Sequence, residues 1–129
     1  MKALILTLSL LLGSTFASAQ GPERLTIKNG GQAVTKNGRI TVKFLELIED
    51  SRCPADVNCI WAGVAKIKVR LSKNGKSSVF ELNTNQGDKP AVFQGYSIAL
   101  TGLEPRQSTT SKYSPSAYRA TFAVSKAKR

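Results

Sequence analysis

The feature that most constrains this chain is an alternation of apolar and polar residues between residues 64 and 83. Residues 64–72 read VAKIKVRLS and residues 77–83 read SSVFELN, with Asn74-Gly75 between them. Because side chains alternate across a β-strand, this pattern gives each strand one apolar and one polar face. Asn-Gly favours a two-residue turn, since both positions tolerate positive φ. The stretch is therefore predicted to be a β-hairpin with one buried face.

The same alternation recurs along the chain between turn signals, and helical periodicity is nearly absent. The further predicted strands are 24–28, 33–36, 39–47, 91–101 and 117–125. A single open sheet cannot bury one face of every strand, so about seven short antiparallel strands are predicted to form a small all-β sandwich or barrel. The predicted core consists of apolar residues on the later strands: Ile67, Val69, Leu71, Phe80, Leu82, Tyr96, Ile98, Leu100, Tyr118, Phe122 and Val124.

The first twenty residues, MKALILTLSLLLGSTFASAQ, have the layout of a secretory signal peptide. Lys2 supplies the positive charge, residues 3–12 are apolar, and Ala17-Ser18-Ala19 fits a cleavage site. The apolar run is shorter than the roughly 20 residues of a membrane-spanning helix. We therefore predict a signal peptide over 1–19, a single β-domain over 20–129 with no transmembrane segment, and a periplasmic or secreted location. No cysteine follows the cleavage site, so no lipid anchor is expected.

Both cysteines and the single tryptophan lie within residues 49–63, EDSRCPADVNCIWAG. Export and the even number of cysteines predict a structural disulfide between Cys53 and Cys59. A ring this small stabilises by about 2 to 2.5 kcal/mol and mainly shapes its own loop. The spacing does not match a redox C-x-x-C motif, and two cysteines without histidine are too few for a thiolate metal site. Trp61 is expected to pack over the disulfide, with an exposed stacking platform as the alternative.

Four of the eight acidic residues fall within eleven positions: Glu46, Glu49, Asp50 and Asp56. Clustered carboxylates can bind Ca²⁺, but the spacing matches no EF-hand loop. The favoured interpretation is structural, with Asp50 paired to Arg52 or to backbone N–H groups and Asp56 starting an Asx-type turn. No metal site is predicted. The later Ser-, Thr- and Pro-rich segment 104–116 is expected to be a loosely ordered surface loop.

The chain has 19 basic and 8 acidic residues, a formal net charge of +11, and no histidine. A charge of this size attracts anionic partners such as lipid head groups, acidic polysaccharide or nucleic acid. Histidine is the usual general base and the commonest transition-metal ligand, so its absence from the sequence argues against most hydrolase mechanisms. No enzymatic activity and no cofactor are therefore predicted.

Basic residues recur on the polar side of several predicted strands. By parity, the polar side of residues 64–72 carries Lys66, Lys68 and Arg70. By the same parity, Arg39, Lys43 and Arg119 lie on the polar sides of their own strands. These side chains are predicted to form one binding face if their strands are neighbours. The alternative is that the charges solvate strand edges and discourage aggregation.

The segment Asp50-Ser51-Arg52-Cys53-Pro54-x-x-Val57-x-Cys59-x-Trp61-Ala62-Gly63 resembles the shared core of a family of small exported bacterial proteins, many of them lipoproteins. The strands around Gly95-Tyr96 and Tyr118 to Val124 are similar to the same family. The resemblance implies a compact β-domain with a disulfide loop. It implies no activity, and it supplies no catalytic residue. This chain departs from the family pattern in lacking a lipidation cysteine.

Two functions follow as hypotheses. The first is an exported, non-enzymatic binding module of the cell envelope that holds an anionic ligand on its basic face. The second is an inhibitor or partner of an exported protein, acting through the rigid Cys53–Cys59 loop with Arg52 as the contacting residue. Nucleic acid is not the expected physiological partner of an exported protein.

Overall fold

The structure is a computed structural model, and it describes residue 13, residues 21–85 and residues 89–127. The predicted signal peptide lies outside the described residues apart from Gly13. The strands are β1 Glu23–Lys28, β2 Gln32–Val34, β3 Thr41–Asp50, β4 Ala65–Lys73, β5 Lys76–Asn83, β6 Ala91–Phe93, β7 Tyr96–Glu104 and β8 Arg119–Lys126, with a 3₁₀ turn at Pro115–Ala117. None of the described residues forms a helix long and apolar enough to cross a membrane.

The eight strands form two antiparallel sheets of four. The first sheet has the order β1-β8-β7-β6 and the second has the order β2-β3-β4-β5. Every strand therefore neighbours the next in sequence, either within a sheet or across the two corners between sheets. At one corner the Gly30 amide donates to the Phe44 carbonyl oxygen at 2.8 Å, and the Phe44 amide donates to the Gly31 carbonyl oxygen at 3.0 Å. The predicted all-β fold is confirmed, as a sandwich of two sheets.

The apolar faces of both sheets share one core. Nine of the eleven predicted core residues are buried, and the other two, Phe80 and Tyr96, are half-buried and pack against the cluster. The core also takes Ile40, Val42 and Phe44 from β3 and the residue that precedes it, all fully buried. Alternation in each strand therefore decides which side chains are removed from water. Burial of apolar side chains is the dominant stabilising term in a domain of this size.

The Asn74-Gly75 hairpin is confirmed, with φ values of 51° and 77° and Lys73 paired to Lys76 across the turn. The single predicted strand over 91–101 is wrong. Gln94 and Gly95 have φ values of 51° and 80° and make a second two-residue turn, which splits the segment into β6 and β7. This division explains why the fold has eight strands where about seven were predicted.

The alternating turns of this meander define two ends of the sandwich. The hairpin end carries the connections β2–β3, β4–β5 and β6–β7, at residues 35–40, 74–75 and 94–95. The disulfide end carries the β3–β4 connection, residues 51–64, and the β7–β8 connection, residues 105–118. Alternate connections of an antiparallel meander must lie at the same end, so residues distant in sequence are brought together there.

Candidate functional site

The predicted basic face begins with the outward side chains of β4. Lys66, Lys68 and Arg70 alternate with buried residues, as parity predicts. However, Lys66 Nζ lies 3.5 Å from Glu49 Oε1, and Lys68 Nζ lies 3.1 Å from Glu46 Oε1. Exposed pairs of this kind add little stability, but they place an opposite charge beside each lysine. Two of these three outward cations are therefore balanced by acids on β3.

The remaining candidates do not join into one patch. Lys43 lies directly opposite Arg70 in the β3–β4 register, so these two do adjoin. Arg39 is exposed in the connection before β3, with φ at 49°. Arg119 lies on β8, which belongs to the other sheet, and its register neighbours are Lys28 and Glu104. The condition set for one continuous basic face, that these strands be neighbours, is not met, because β8 lies in the other sheet from β3 and β4.

Cations gather instead at the hairpin end. Register and connectivity place six basic side chains there, five of them exposed and Lys73 half-buried: Arg24, Lys36, Arg39, Lys73, Lys76 and Lys126. Within residues 21–85 and 89–127, none of the six forms an ion pair. This set is called the basic end below.

The basic end has little compensating negative charge. Glu23 is the one acidic residue that the described strands place there. Its carboxylate accepts hydrogen bonds from the amides of Lys36 at 2.7 Å and Asn37 at 3.1 Å, so it holds the 35–40 connection in place. A cleft of about 380 Å³ opens beside it, lined in part by Asn37, Tyr96 and Lys126. Lys73 Nζ lies 5.5 Å from the centre of the Tyr96 ring.

A sequence signal for the basic end exists and was missed. Two of the three Asn-Gly pairs have a cation on each side, as Lys36-Asn37-Gly38-Arg39 and as Lys73-Asn74-Gly75-Lys76. In an antiparallel meander these two connections are separated by two strands, so they share an end. The alternation of side chains within each strand does not show that the two turns share an end. The alternation of the connections between the two ends of the meander does show it.

Arg52, predicted as an exposed contact residue, is a buried structural residue. Its side chain is 7% exposed and that of Asp50 is 8% exposed. Arg52 Nε donates to Asp50 Oδ1 at 2.9 Å and Arg52 Nη2 donates to Asp50 Oδ2 at 3.0 Å, a two-point pairing that only arginine offers. Its other bonds go to the carbonyl oxygens of Leu103 at 2.7 Å and Pro105 at 3.0 Å.

Tyr118 and Gln107 extend this network. The Tyr118 hydroxyl donates to Asp50 Oδ2 at 2.6 Å and accepts from Gln107 Nε2 at 2.8 Å. Burial raises the pKa of Asp50, but the hydrogen bonds from Arg52 and Tyr118 outweigh burial, so its pKa lies below the usual value. Burial and the bond to Asp50 together raise the pKa of Tyr118. Asp50 therefore stays ionised and Tyr118 neutral at neutral pH, a pairing that locks the disulfide end.

The acidic cluster is divided among separate partners. Asp50 pairs with Arg52, as one of the predicted alternatives stated, while Glu46 and Glu49 pair with lysines of β4. Asp56 does not start the predicted Asx-type turn. Its carboxylate accepts from the Thr109 amide at 3.0 Å and from the Thr109 hydroxyl, and these bonds lower its pKa. In the described part of the chain, no group of three or more acidic or cysteine side chains is placed to share a metal ion.

The disulfide loop has the predicted bridge but not the predicted tryptophan packing. Cys53 and Cys59 are joined, with their Cα atoms 5.8 Å apart. Trp61 is 70% exposed and Ile60 is 97% exposed, so Trp61 does not cap the bridge. Residues 55–62 are all exposed, so this part of the loop lies at the surface. Ile60 and Trp61 are called the apex below.

Hydrogen bonds hold the loop on two sides. The amides of Ser51 and Cys53 donate to the carbonyl oxygens of Val64 and Ala62, at 2.8 and 3.1 Å. On the other side, the Ala55 amide donates to the Gln107 carbonyl oxygen at 2.9 Å. The apex is therefore carried by a loop that is stapled and bonded at its base.

A larger cleft of about 510 Å³ lies at the disulfide end, between Gly63, Asn85 and the end of β7. The segment 104–116 beside it was expected to be loosely ordered, yet it is bonded internally. Gln107 Oε1 accepts from the Tyr113 amide at 2.7 Å, and Gln107 Nε2 donates to the Tyr113 carbonyl oxygen at 2.9 Å.

Comparisons of this chain with protein-family models, with curated proteins and with solved structures each found no match.

Proposed function

We propose that this protein is an exported, non-enzymatic binding module of the cell envelope that holds an anionic polymer at its basic end. The observation that carries the proposal is that six basic residues lie at the hairpin end, where the one carboxylate of the described strands already accepts two backbone hydrogen bonds. The proposal keeps the anionic ligand predicted from the sequence and moves its contact from the β4 face to the hairpin end.

The physical basis is the unbalanced field. A cluster of cations with few acids nearby raises the local concentration of anions and speeds their encounter. A polymer gains further, because several contacts release several condensed counterions at once. Lys43 and Arg70 adjoin the basic end two register rows away, so an extended chain that lies across the hairpins reaches them as well. The shared ligand chemistry is a row of carboxylate, sulfate or phosphate groups.

Salt-dependent retention on immobilised heparin, used as a sulfated probe polymer, tests the proposal. Lys36→Gln with Lys76→Gln removes two exposed cations of the basic end. Lys28→Gln with Arg119→Gln removes two exposed cations on the outer face of the first sheet, at the other end. The net charge changes equally, so a purely net-charge effect would lower the eluting salt concentration equally.

We expect the basic-end pair to elute at clearly lower salt than the control pair, with folding unchanged in both. A slope of binding against salt that falls by about 1 to 2 for the basic-end pair is the matching thermodynamic result. Equal retention of the two pairs would contradict the proposal. Arg119, one of the residues predicted from the sequence, is thereby tested at the same time.

The alternative function is docking on an exported protein through the Cys53–Cys59 loop. Its contact residue is no longer Arg52. Arg52 is buried and fully engaged, so the exposed part of the loop is the apex. Family membership through the 50–63 segment also stays a proposal. It adds a shared loop and no ligand.

A further inference from the structure

The apex is the most exposed apolar feature of the described chain. Ile60 is 97% exposed and Trp61 is adjacent to it, while Val57 of the same loop and Tyr113 of the neighbouring segment are also exposed. Single exposed apolar residues are common, whereas these four lie on two loops that are hydrogen-bonded to each other. The bonds between Ala55 and Gln107 and between Asp56 and Thr109 hold the two loops together.

The disulfide end also carries exposed basic side chains. The charged side chains at the disulfide end that are exposed and free of ion pairs within the described residues are basic more often than acidic: Lys28, Arg106, Lys112 and Arg119 against Asp56 and Glu104. Arg106 and Lys112 lie on the same segment as Tyr113. The exposed and unpaired charges named at this end are thus net positive, and the basic side chains among them are long.

This combination matches the chemistry of a bilayer surface. Tryptophan and tyrosine settle at the head-group level, aliphatic side chains reach the acyl boundary, and lysine and arginine extend to anionic head groups. Apolar burial and attraction to anionic lipid add together in peripheral binding. A concave protein pocket would match the two apex side chains, but it gives no role to the four exposed cations of this end.

We propose that the disulfide end docks on an anionic lipid surface, with Ile60 and Trp61 entering the interfacial layer and Arg106 and Lys112 facing the head groups. The loop is held by its disulfide and by bonds on both sides, so little conformational freedom is lost on docking. This surface lies at the opposite end from the basic end. The inference goes beyond the proposed function, because it makes the protein a link between a lipid surface and an anionic polymer.

The single tryptophan of the chain provides a direct readout. The purified protein is mixed with phosphatidylcholine vesicles that contain about one third phosphatidylglycerol, and separately with pure phosphatidylcholine vesicles, at low salt. We expect a blue shift of Trp61 emission and co-sedimentation with the anionic vesicles only. Acyl chains brominated near the head group are expected to quench the emission, because the indole lies at that depth.

Ile60→Ser removes the apolar tip and keeps the fluorescent reporter. It is expected to weaken vesicle binding about tenfold or more. Val92→Ser is the matched control, since Val92 is also a β-branched residue, 58% exposed, and lies on β6 away from the apex. Its vesicle binding is expected to stay unchanged.

Three results would overturn the inference. Co-sedimentation without a blue shift or quenching means adsorption by net charge alone. An equal loss in the Ile60 and Val92 variants removes the apex from the contact. No binding to anionic vesicles leaves the apex to a protein partner. The Lys36→Gln, Lys76→Gln pair keeps the two proposals separate, because it is expected to weaken heparin retention while Trp61 quenching in the vesicle-bound protein persists.

Discussion

At the scale of single residues, one buried ion pair organises the disulfide end. Asp50 and Arg52 are two positions apart, and the sequence suggested their pairing. It did not suggest the burial of that pair, because the groups that complete it come from far along the chain. Tyr118 follows Asp50 by 68 residues, and Leu103 follows Arg52 by 51. Spacing within a motif shows which partners are possible, whereas only the fold shows which are desolvated.

Removal of Arg52 should be costly, since it leaves the Asp50 carboxylate buried without its partner. We expect Arg52→Ala to lower the free energy of unfolding by about 3 to 5 kcal/mol, measured by urea denaturation. Arg106→Ala is the matched control, because Arg106 is exposed and forms no ion pair in the described chain, and its loss should stay within about 0.5 kcal/mol. Similar small losses in both variants would show that the pair is not the anchor of this end.

The same pair sets a pH dependence. The pKa of Asp50 is lowered from its ordinary value of 3.8, so its ionised form stabilises the folded state. That contribution is complete above the ordinary value and is lost as pH falls through the lower, folded-state pKa. We expect Asp50→Asn to be less stable than the parent at neutral pH, and the gap in free energy of unfolding to close below about pH 3 to 4. A gap that is constant or widens in acid would mean that ionised Asp50 is not the stabilising species.

At the scale of elements, the strands and the Asn-Gly turn followed from local pattern, while the shape of the disulfide loop did not. Alternation located β4 and β5 because burial acts on each residue in turn. The Gln94-Gly95 turn was not predicted, because glutamine is not a usual turn former and the flanking residues resemble one apolar strand. The packing of Trp61 over the disulfide was predicted wrongly for a related reason, since the spacing of two cysteines carries no information about which side chain covers their disulfide.

Gly63 closes the disulfide loop, and it can be tested alone. Its φ is +67°, and a Cβ atom there would lie 1.9 Å from the Ser51 carbonyl oxygen, which is backbone and cannot yield. Gly75 also has positive φ, at +77°, but open space surrounds its Cβ position. Gly75→Ala should therefore cost only the left-handed penalty of about 1 to 2 kcal/mol. Gly63→Ala should cost at least about 3 kcal/mol by thermal or urea unfolding, and equal costs would contradict the close approach.

At the scale of the whole molecule, the meander separates two surfaces. The connections at the hairpin end carry cations. The connections at the disulfide end include the disulfide-closed loop with its apex. Composition predicted a positive molecule without saying where the charge lies. The predicted β4 face was only partly correct, because Glu46 and Glu49 come into register beside Lys68 and Lys66 only once β3 and β4 pair. The alternation within one strand does not show which charges its neighbouring strands carry.

The most direct test of the anionic contact at the basic end is amide chemical-shift mapping with a short, homogeneous heparin oligosaccharide. The account predicts that the largest changes fall at the amides of residues 36–39, 73–76 and 95–96, that residues 53–63 stay unchanged, and that all changes diminish as salt rises. Changes centred on residues 66–70, or spread evenly over both ends of the sandwich, would contradict it.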